Sequence, residues 1–574
     1  MLAVEAYRKP RGHGRRYNYR QPGMQCCHCS DAVKLRPCYV RIATVAEIAM
    51  ATAMSEATSS SATRSASWIA SGPAIVLYIA GLEFPIHLPN PGGYGFFIDE
   101  LYFMACGQHL SWGYVDMPPL TAVQAWTARV LFGDSLLAIR IFPTVAAAGF
   151  VILTGSIVRQ LRGGRFAQTL AALAVLLAPF YLSFASYLSM NSIEPLLWMG
   201  CALILMRMIQ SGEVKLWLWF GVLSGIGLEN KDTMLLFGFA LIAGLLLTPE
   251  RRLVASRWFI IGGFAAFVIF LPNLIWQFQH HFPHLEMLAN IKRNGRNVKV
   301  GSLGFIIWQL LGMQPLAAPI WLCGLYAFFF SDAFKPYRSL GYAYLLSLLI
   351  LLLTEGRFYY LAPAYPMLMA AGAVVIERWT SEPQLRWVRP AYAAVIAFSG
   401  VVIGLNTLPL LSPSAYIAYT RFMGFSEPKF ETRKASDLPQ FLADRCGWPE
   451  MAEATARVYK ELPPDQKAKT AIFGGNYGEA GAIDFYGSKL GLPKAISGHV
   501  NYWYWGPRNY TGESVIVLGS NRHRLEQVFE RVEPKSTIDN SHAMASEHFT
   551  IYLCTGLKDG RTIQQLWPTL KNWN

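Results

Sequence analysis

Two adjacent carboxylates, Asp99 and Glu100, follow the first long apolar segment of the chain. Apolar residues at positions 97, 101 and 104 predict a helix in the membrane interface, with Asp99 near its start. A carboxylate at a membrane surface can accept a proton from a hydroxyl or amine, so Asp99 and its neighbour Glu100 are candidate catalytic residues. The same spacing also suits a helix cap made by Asp99, and the residues alone leave both interpretations open.

An acid and a lysine occupy the next two polar segments on the same predicted face of the membrane. Glu194 stands in the first turn of a predicted helix, where an acid is also common for purely structural reasons. Lys231 lies between apolar segments, where an ammonium group can bind phosphate as a point charge. Pairing of Lys231 with Glu229 or Asp232 is the alternative.

Basic residues mark the last two segments of this face. Arg357 lies between two apolar runs and is followed by tyrosines and prolines, which suits phosphate binding through paired hydrogen bonds or anchoring in an aromatic belt. The segment 278–303 is basic where the positive-inside rule predicts few cations, so its charges, including Arg293, could face a lipid phosphate or simply be solvated. Its three histidines could hold a divalent metal ion, although their spacing is unspecific. These histidines are His280, His281 and His284.

Composition defines the setting in which these residues must act. The chain has 574 residues, of which 53% are hydrophobic and 15% are charged, with a mean hydropathy of +0.28. Soluble proteins carry about 25% charged residues, so an ordinary soluble enzyme, a disordered protein and a disulfide-stapled domain are excluded. The net charge of +14 fits basic cytoplasmic loops and an anionic lipid substrate better than nucleic acid.

Long apolar runs repeat through residues 68–410, and a bilayer-spanning helix needs about 20 such residues. We predict a polytopic all-α membrane domain with about eleven transmembrane helices. Their approximate limits are 70–88, 137–158, 166–184, 192–210, 216–230, 233–248, 258–277, 304–330, 339–354, 359–376 and 390–410. Basic residues then fall in alternate loops, which predicts a cytoplasmic N-terminus and an external C-terminal region.

The two ends of the chain differ from this membrane domain. Residues 1–67 are rich in Arg, Ser and Thr and are interpreted as a disordered cytoplasmic tail, with Met54 as an alternative start. Residues 411–574 predict a small periplasmic α/β domain. The expected strands are Thr470–Phe473, Ser514–Leu518 and a third near Phe549–Leu553, and the expected helices are about 449–461 and 521–531.

Three groups of residues together resemble bacterial glycosyltransferase family 39, relatives of the protein O-mannosyltransferases and of the lipid A aminoarabinose transferase. They are Asp99-Glu100-Leu101-Tyr102 with Trp112-Gly113-Tyr114 and Pro118-Pro119-Leu120, Pro272 through Gln277 with His280, and Arg357 through Pro366. The resemblance covers about 70–430, and the C-terminal part resembles an external domain of one bacterial branch. It implies a GT-C fold and an enzyme that moves a sugar from a polyprenyl-phosphate carrier to an acceptor at the periplasmic face.

The resemblance also implies roles for single residues. Asp99 corresponds to the family's acidic residue in the first external loop and would deprotonate the acceptor, with Glu100 beside it. Glu194 stands in the second loop where the family more usually has Asp. Lys231 and Arg357, joined by Arg293, would stabilise the phosphate of the donor. The tyrosines expected to line the substrate are Tyr102, Tyr114, Tyr359, Tyr360 and Tyr365.

The reaction expected from this resemblance inverts the anomeric carbon, because the acceptor attacks in line as polyprenyl phosphate leaves. The acceptor could be a glycolipid, a cell-envelope glycan or a protein, and the need for a divalent metal stays open. Two other functions remain. A flippase for lipid-linked sugars would show internal repeats or broken helices at matching positions in two halves, and a non-catalytic binding protein would tolerate loss of Asp99 and Arg357.

Overall fold

Helices dominate the part of the chain that the structure, a computed structural model, describes: residues 69–296, 298–425 and 436–574. The predicted tail 1–67 and Met54 lie outside the described residues. All described residues fall within the unit Ser55–Asn574. In this unit a series of apolar helices precedes a smaller domain that contains a β-sheet.

Six unbroken helices in the described residues are long and apolar enough to cross a bilayer. They are Leu136–Gln160, Met190–Ser211, Arg257–Gln279, Asp332–Leu353, Phe358–Trp379 and Pro383–Thr407. Two bent pairs of helices are together long and apolar enough to cross it, namely Arg165–Leu176 with Pro179–Ala185 and Gly301–Gly312 with Pro315–Phe330. Pro179 and Pro315 each begin the second helix of a pair, because proline fits the first turn of a helix but interrupts its interior.

The sequence predicts about eleven transmembrane helices; by length and composition alone, six to eight helices in the described residues are long and apolar enough to cross a membrane. All eleven predicted segments are helical, but three of them are short. These are Gly72–His87, which has a break after Gly81, together with Leu216–Asn230 and Thr233–Leu246. An apolar run shows where a helix lies, but it does not ensure the roughly 20 residues that a straight crossing of the hydrocarbon core requires.

Three helices lie in the connections between the spans. They are the first loop helix Ile98–Gln108, the second loop helix Leu120–Phe132 and the third loop helix Pro283–Arg293. At the start of the first loop helix, Glu100 Oε2 accepts a hydrogen bond from Phe97 N at 2.8 Å. An acid three residues into a helix commonly satisfies the first backbone donor in this way. Glu100, and not Asp99, therefore caps this helix.

The C-terminal domain, described over residues 436–574, contains a four-stranded sheet in the order β1-β2-β4-β3. The strands are β1 Thr470–Phe473, β2 Ser514–Val517, β3 Phe529–Ile538 and β4 Phe549–Leu557. β1 and β2 are parallel, whereas β4 runs antiparallel to both β2 and β3. Its helices are Gln440–Ala443, Trp448–Glu461, Pro464–Lys467, Tyr477–Ala482, Asn501–Trp505, Arg522–Glu526 and Ile563–Leu566, and Pro413–Met423 precedes the domain.

The sequence predicted three of the four strands, and its expectation of a helix over 521–531 is wrong beyond Arg522–Glu526. The missed strand, β3, lies at an edge of the sheet. Edge strands tolerate charges and proline because one side pairs with no neighbouring strand. β3 contains Pro534 and several charged residues, so it lacks the apolar alternation by which a half-buried strand is recognised.

The C-terminal domain packs directly on the first loop helix through Tyr477–Ala482, which we call the contact helix. Two glycines permit the close approach: a Cβ on Gly478 would overlap the side chain of Ile98, and one on Gly481 would lie 3.0 Å from the Leu101 backbone. A single buried apolar cluster joins the loop helices to the domain. The domain is therefore placed to reach the polar residues of the loops.

Candidate functional site

Asp99 lies in the first turn of the first loop helix, and its side chain is half-buried. The Tyr477 hydroxyl donates a hydrogen bond to Asp99 Oδ1 at 2.7 Å. Tyr477 belongs to the contact helix, 378 residues further along the chain. The candidate base is thus held by both the loop region and the C-terminal domain.

Glu100, the second predicted acid, points into the protein and is fully buried. Besides capping its own helix, its Oε1 accepts a hydrogen bond from Leu188 N at 3.0 Å. Arg140 Nη2 lies 3.5 Å from Glu100 Oε2, and this guanidinium is also buried. Neighbouring residues on a helix face different directions, so Asp99 and Glu100 have different surroundings. Glu100 connects the first loop helix to the segment before Met190–Ser211.

Asp116 adds a carboxylate that the sequence did not single out. The Tyr102 hydroxyl donates to Asp116 Oδ1 at 2.8 Å, and Asn501 of the C-terminal domain accepts a hydrogen bond from Val115 N at 2.7 Å. Burial raises the pKa of Asp116 to about 6, and the charge of Asp99 acts in the same direction, whereas the Tyr102 hydroxyl opposes the rise. Asp116 therefore gains and loses a proton near neutral pH and close to Asp99.

Lys231 and Glu194 form a buried ion pair. Lys231 Nζ donates to Glu194 Oε2 at 2.9 Å and to Asn191 Oδ1 at 2.8 Å. Thr233 Oγ1 donates to the other oxygen of Glu194. The Lys231 ammonium also lies 4.0 Å from the centre of the Tyr360 ring, which favours its charged form through a cation–π contact. The sequence-based alternatives of pairing with Glu229 or Asp232 are thus replaced by pairing with Glu194.

Arg357 joins Lys231 at the tyrosine pair Tyr359 and Tyr360. Its Nη1 donates to the Tyr359 hydroxyl at 2.9 Å. The centre of the Tyr359 ring is 6.0 Å from Lys231 Nζ and 6.0 Å from Arg357 Cζ. The two predicted phosphate ligands therefore come together although 126 positions separate them in the sequence.

His284 links the third loop helix to both neighbouring segments. Its Nε2 lies 3.5 Å from Asp232 Oδ2, and its Nδ1 lies 3.2 Å from Val115 O. Burial would lower the pKa of His284, but Asp232 and the Val115 carbonyl raise it above its usual value. For Asp232, burial would raise the pKa, but the contact with His284 lowers it below the usual range. The pair connects the third loop helix to Asp232, the residue that follows Lys231.

Three predicted site residues lie elsewhere. Tyr114 is fully buried, where it accepts a hydrogen bond from Ser111 N and donates to backbone carbonyls of its own loop. Tyr365 is buried among the spans, where the Tyr344 hydroxyl donates to it at 2.9 Å. Arg293 is exposed at the end of the third loop helix. Tyr114 and Tyr365 thus support the fold, and Arg293 is not gathered with Lys231 and Arg357.

The three candidate metal ligands are also separate. The His280 ring stacks on Trp276 with centroids 4.1 Å apart, His281 is exposed, and His284 faces Asp232. Across residues 69–296, 298–425 and 436–574, no group of three or more His, Cys, Asp or Glu side chains is placed to hold a metal ion. The histidine spacing therefore carries no metal site in the described part of the chain.

Tyr187 and Arg445 are further residues that the sequence analysis missed. The Arg445 guanidinium lies 5.5 Å from the Tyr187 ring and donates to Ser186 Oγ at 2.9 Å. Burial raises the pKa of Tyr187, and Asp99 and Tyr359 contribute to the rise. No local pattern marks these residues, because their neighbours come from distant segments.

The fold and the family comparison together define a multi-pass membrane protein of the GT-C type. Residues 116–276 match the family model described as dolichyl-phosphate-mannose-protein mannosyltransferase. The predicted resemblance to GT-C glycosyltransferases is confirmed over these residues, which include Asp116, Glu194 and Lys231. Asp99 and Arg357 lie outside the matched range, so their roles remain predictions. No curated protein sequence matches the chain.

Two crystal structures of one protein resemble this fold. One is ArnT from Cupriavidus metallidurans bound to undecaprenyl phosphate, with a TM-score of 0.53 and 13% identity over 84% of this chain and 96% of that chain. The other is ArnT from the same organism in the apo state, with a TM-score of 0.53 and 13% identity over 89% of this chain and 99% of that chain. At this identity the similarity establishes the GT-C fold.

Proposed function

We propose that this protein is an inverting glycosyltransferase that moves a sugar from a polyprenyl-phosphate donor to an acceptor at the periplasmic face of a bacterial inner membrane. The observation that carries the proposal is the approach of Lys231 and Arg357 to the same Tyr359 ring, together with the half-buried Asp99 carboxylate on the first loop helix. A carboxylate can activate the acceptor, while the cations can stabilise the phosphate that leaves. The matched family description and the lipid bound in the ArnT crystal support the same donor class.

The reaction follows from these roles. Asp99 accepts the proton as the O–H or N–H bond of the acceptor breaks, and the freed electron pair attacks the anomeric carbon. The leaving phosphate oxygen is on the opposite face of this carbon. Its bond to the carbon breaks as the new bond forms, so the configuration inverts and polyprenyl phosphate leaves with the electron pair. Lys231 and Arg357 stabilise the charge that develops on the phosphate, a contribution of roughly 3–4 kcal/mol for each well-placed donor in other enzymes.

We assign positioning roles to Glu100 and Glu194. Glu100 has its oxygens committed to Phe97 N, Leu188 N and Arg140, so it orients the helix that carries Asp99. Glu194 holds Lys231 at the tyrosine pair. The accessible candidates for contact with substrate are then Tyr359 and Tyr360, with Tyr102 acting through Asp116.

A lipid flippase remains the second candidate because the two bent pairs of helices have the form of broken spans, which transporters use to build substrate sites. Transporters place charged or carbonyl ligands at such breaks, near the middle of the membrane. The breaks in this chain lie at Leu177-Ala178 and Met313-Gln314 and contain no charged side chain. Gln314 instead donates to Ile396 O and Ser399 within the protein. The ionisable groups gather in the loops, which favours the transferase.

The deciding experiment reconstitutes the full chain in lipid vesicles with a panel of polyprenyl-phosphate sugars and an extract of bacterial envelope as acceptor. Release of polyprenyl phosphate is measured for the wild type, for Asp99→Asn and for the control Asp134→Asn. Asp134 is an exposed carboxylate that follows the second loop helix and pairs with Arg129 of that helix. Because general-base catalysis supplies about 10²- to 10⁴-fold, we expect Asp99→Asn to lose at least about 100-fold and the control to stay near the wild type.

The same vesicles separate the two candidate functions. Transfer that depends on Asp99 establishes the enzyme and names the sugar. Movement of intact lipid-linked sugar between leaflets, without release of polyprenyl phosphate, would establish the flippase instead.

A further inference from the structure

The hydrogen bond from the Tyr477 hydroxyl to Asp99 Oδ1 joins the C-terminal domain to the carboxylate of the candidate base. Asn476 fixes the start of the contact helix, because its Oδ1 accepts hydrogen bonds from Gly478 N at 2.8 Å and Glu479 N at 2.9 Å. Asparagine is a favourable N-cap residue for this reason. Tyr477, the next residue, is therefore held at a fixed point of the backbone.

The Tyr477 ring also contacts two other aromatic rings. The Tyr102 ring lies against it with centroids 4.9 Å apart, and the His499 ring stacks on it at 4.9 Å. Aromatic contacts of this kind restrict the side-chain rotamer. Because the ring cannot turn freely, its hydroxyl is aimed at Asp99.

Contacts behind His499 extend this support to the last residues of the chain. His499 Nδ1 accepts a hydrogen bond from Tyr477 N at 3.2 Å, and its Nε2 lies 3.3 Å from Asn574 O. The neutral tautomer with its proton on Nε2 satisfies both contacts. Asn290 of the third loop helix donates to Trp573 O at 3.0 Å. A continuous set of contacts thus runs from Asp99 through the C-terminal domain to the third loop helix.

We infer that Tyr477 is a positioning residue for Asp99, so that the C-terminal domain completes the catalytic site. This inference rests on the proposed function, in which Asp99 is the base. The Tyr477 hydroxyl orients the carboxylate and stabilises its charged form, because a donor to a carboxylate favours the ionised state. A base must be both ionised and correctly directed to accept the proton of the acceptor.

An opposite role for the same contact gives an opposite result. If the Tyr477 hydroxyl occupied the place of the acceptor hydroxyl, its removal would free the base. Turnover would then rise and the KM for the acceptor would fall. If Tyr477 is a positioning residue, removal of its hydroxyl lowers turnover instead. The binding of the donor stays unchanged, since the donor phosphate is assigned to Lys231 and Arg357.

Tyr477→Phe tests the inference because it keeps the ring contacts and removes only the hydroxyl. The control is Tyr459→Phe, which removes a hydroxyl that donates to Lys467 O elsewhere in the same domain. We expect kcat to fall about 10- to 100-fold in Tyr477→Phe, as loss of a hydrogen bond to a charged group commonly does. The KM for the donor stays the same, and the acid limb of the kcat/KM profile moves up by about 1 pH unit.

Each outcome decides between defined alternatives. Wild-type kinetics or faster turnover in Tyr477→Phe, with Asp99→Asn still inactive, would overturn the positioning role and leave the proposed function standing. Absence of donor cleavage by the wild type, or full activity of Asp99→Asn, would overturn the proposed function itself. A thermal unfolding curve of Tyr477→Phe that equals that of Tyr459→Phe shows that the lost activity is not lost folding.

Discussion

Lys231, which binds phosphate in the proposed reaction, also forms a buried ion pair with Glu194. Its partner Glu194 is 3% exposed and keeps a hydrogen bond from Thr233 whether or not the lysine is present. A buried charge that loses its partner is costly, about 3–5 kcal/mol in other proteins. Substitution of Lys231 therefore affects folding and donor binding at the same time, and the two effects must be separated.

We predict that Lys231→Met weakens the binding of polyprenyl phosphate at least about tenfold and lowers the free energy of unfolding by about 3 kcal/mol. The double variant Lys231→Met with Glu194→Gln should recover most of the stability, because no unpaired charge remains, but none of the binding. Lys215→Met, at the exposed start of Leu216–Asn230, serves as control. Recovery of lipid binding in the double variant would contradict the phosphate role of Lys231.

Sequence reasoning at the residue scale found groups that share a chemistry, but it did not find their partners. The placement of Asp99, Lys231 and Arg357 in loops of one face was predicted, and the structure brings those loops together. Glu194 as the partner of Lys231 was not predicted, because salt-bridge rules favour neighbours such as Asp232 over a residue on another helix. The contact from Tyr477 was also missed, since it depends on how two separate regions pack.

At the scale of elements, the contact helix and the first loop helix determine where Tyr477 meets Asp99. Their backbones approach at Gly478 and Gly481, where larger residues would not fit. The backbone of Gly478 is in a region open to other residues, since it is absent from the positions with positive φ. Its need for glycine therefore comes from space and not from backbone conformation.

We predict that Gly478→Ala lowers the free energy of unfolding by about 1–3 kcal/mol, because the new methyl group overlaps Ile98 in a filled interface. Activity should fall together with stability, since a shifted contact helix moves the Tyr477 hydroxyl away from Asp99. Gly81→Ala is the matched control, because a Cβ there meets nothing within 4 Å. Thermal unfolding and turnover of both variants in the same detergent check the prediction. Equal stability of the two variants would count against the tight interface.

The elements themselves were predicted unevenly, for physical reasons. Each of the eleven long apolar runs corresponds to a helical segment of the structure, because a helix that crosses lipid requires such a run. Their division into bent pairs at Pro179 and Pro315 was not predicted, since an apolar run continues through the break. β3 was missed because its edge position requires no apolar alternation.

At the scale of the whole molecule, the loop helices and the C-terminal domain share one apolar core. This cluster contains residues of the first loop helix, such as Leu101 and Phe103, together with residues of the domain, such as Ile483 and Tyr502. Apolar surface contributes to stability roughly in proportion to the area removed from water, about 25 cal/mol per Å². A domain that buries part of its core against another region loses that contribution when it is separated.

We therefore predict that residues 436–574, produced alone, do not form the native domain. Circular dichroism should show no cooperative thermal transition, and hydrogen exchange should show no protection of β1 and β2, whereas both strands are protected in the full chain. Trp448, which is 1% exposed and belongs to the same cluster, contributes to a tryptophan fluorescence signal for the comparison. A fragment that melts cooperatively, with the exchange pattern of the full chain, would show that the domain is independent. The contact between Tyr477 and Asp99 would then be a docking contact between two preformed parts, and the full chain should show separate unfolding transitions.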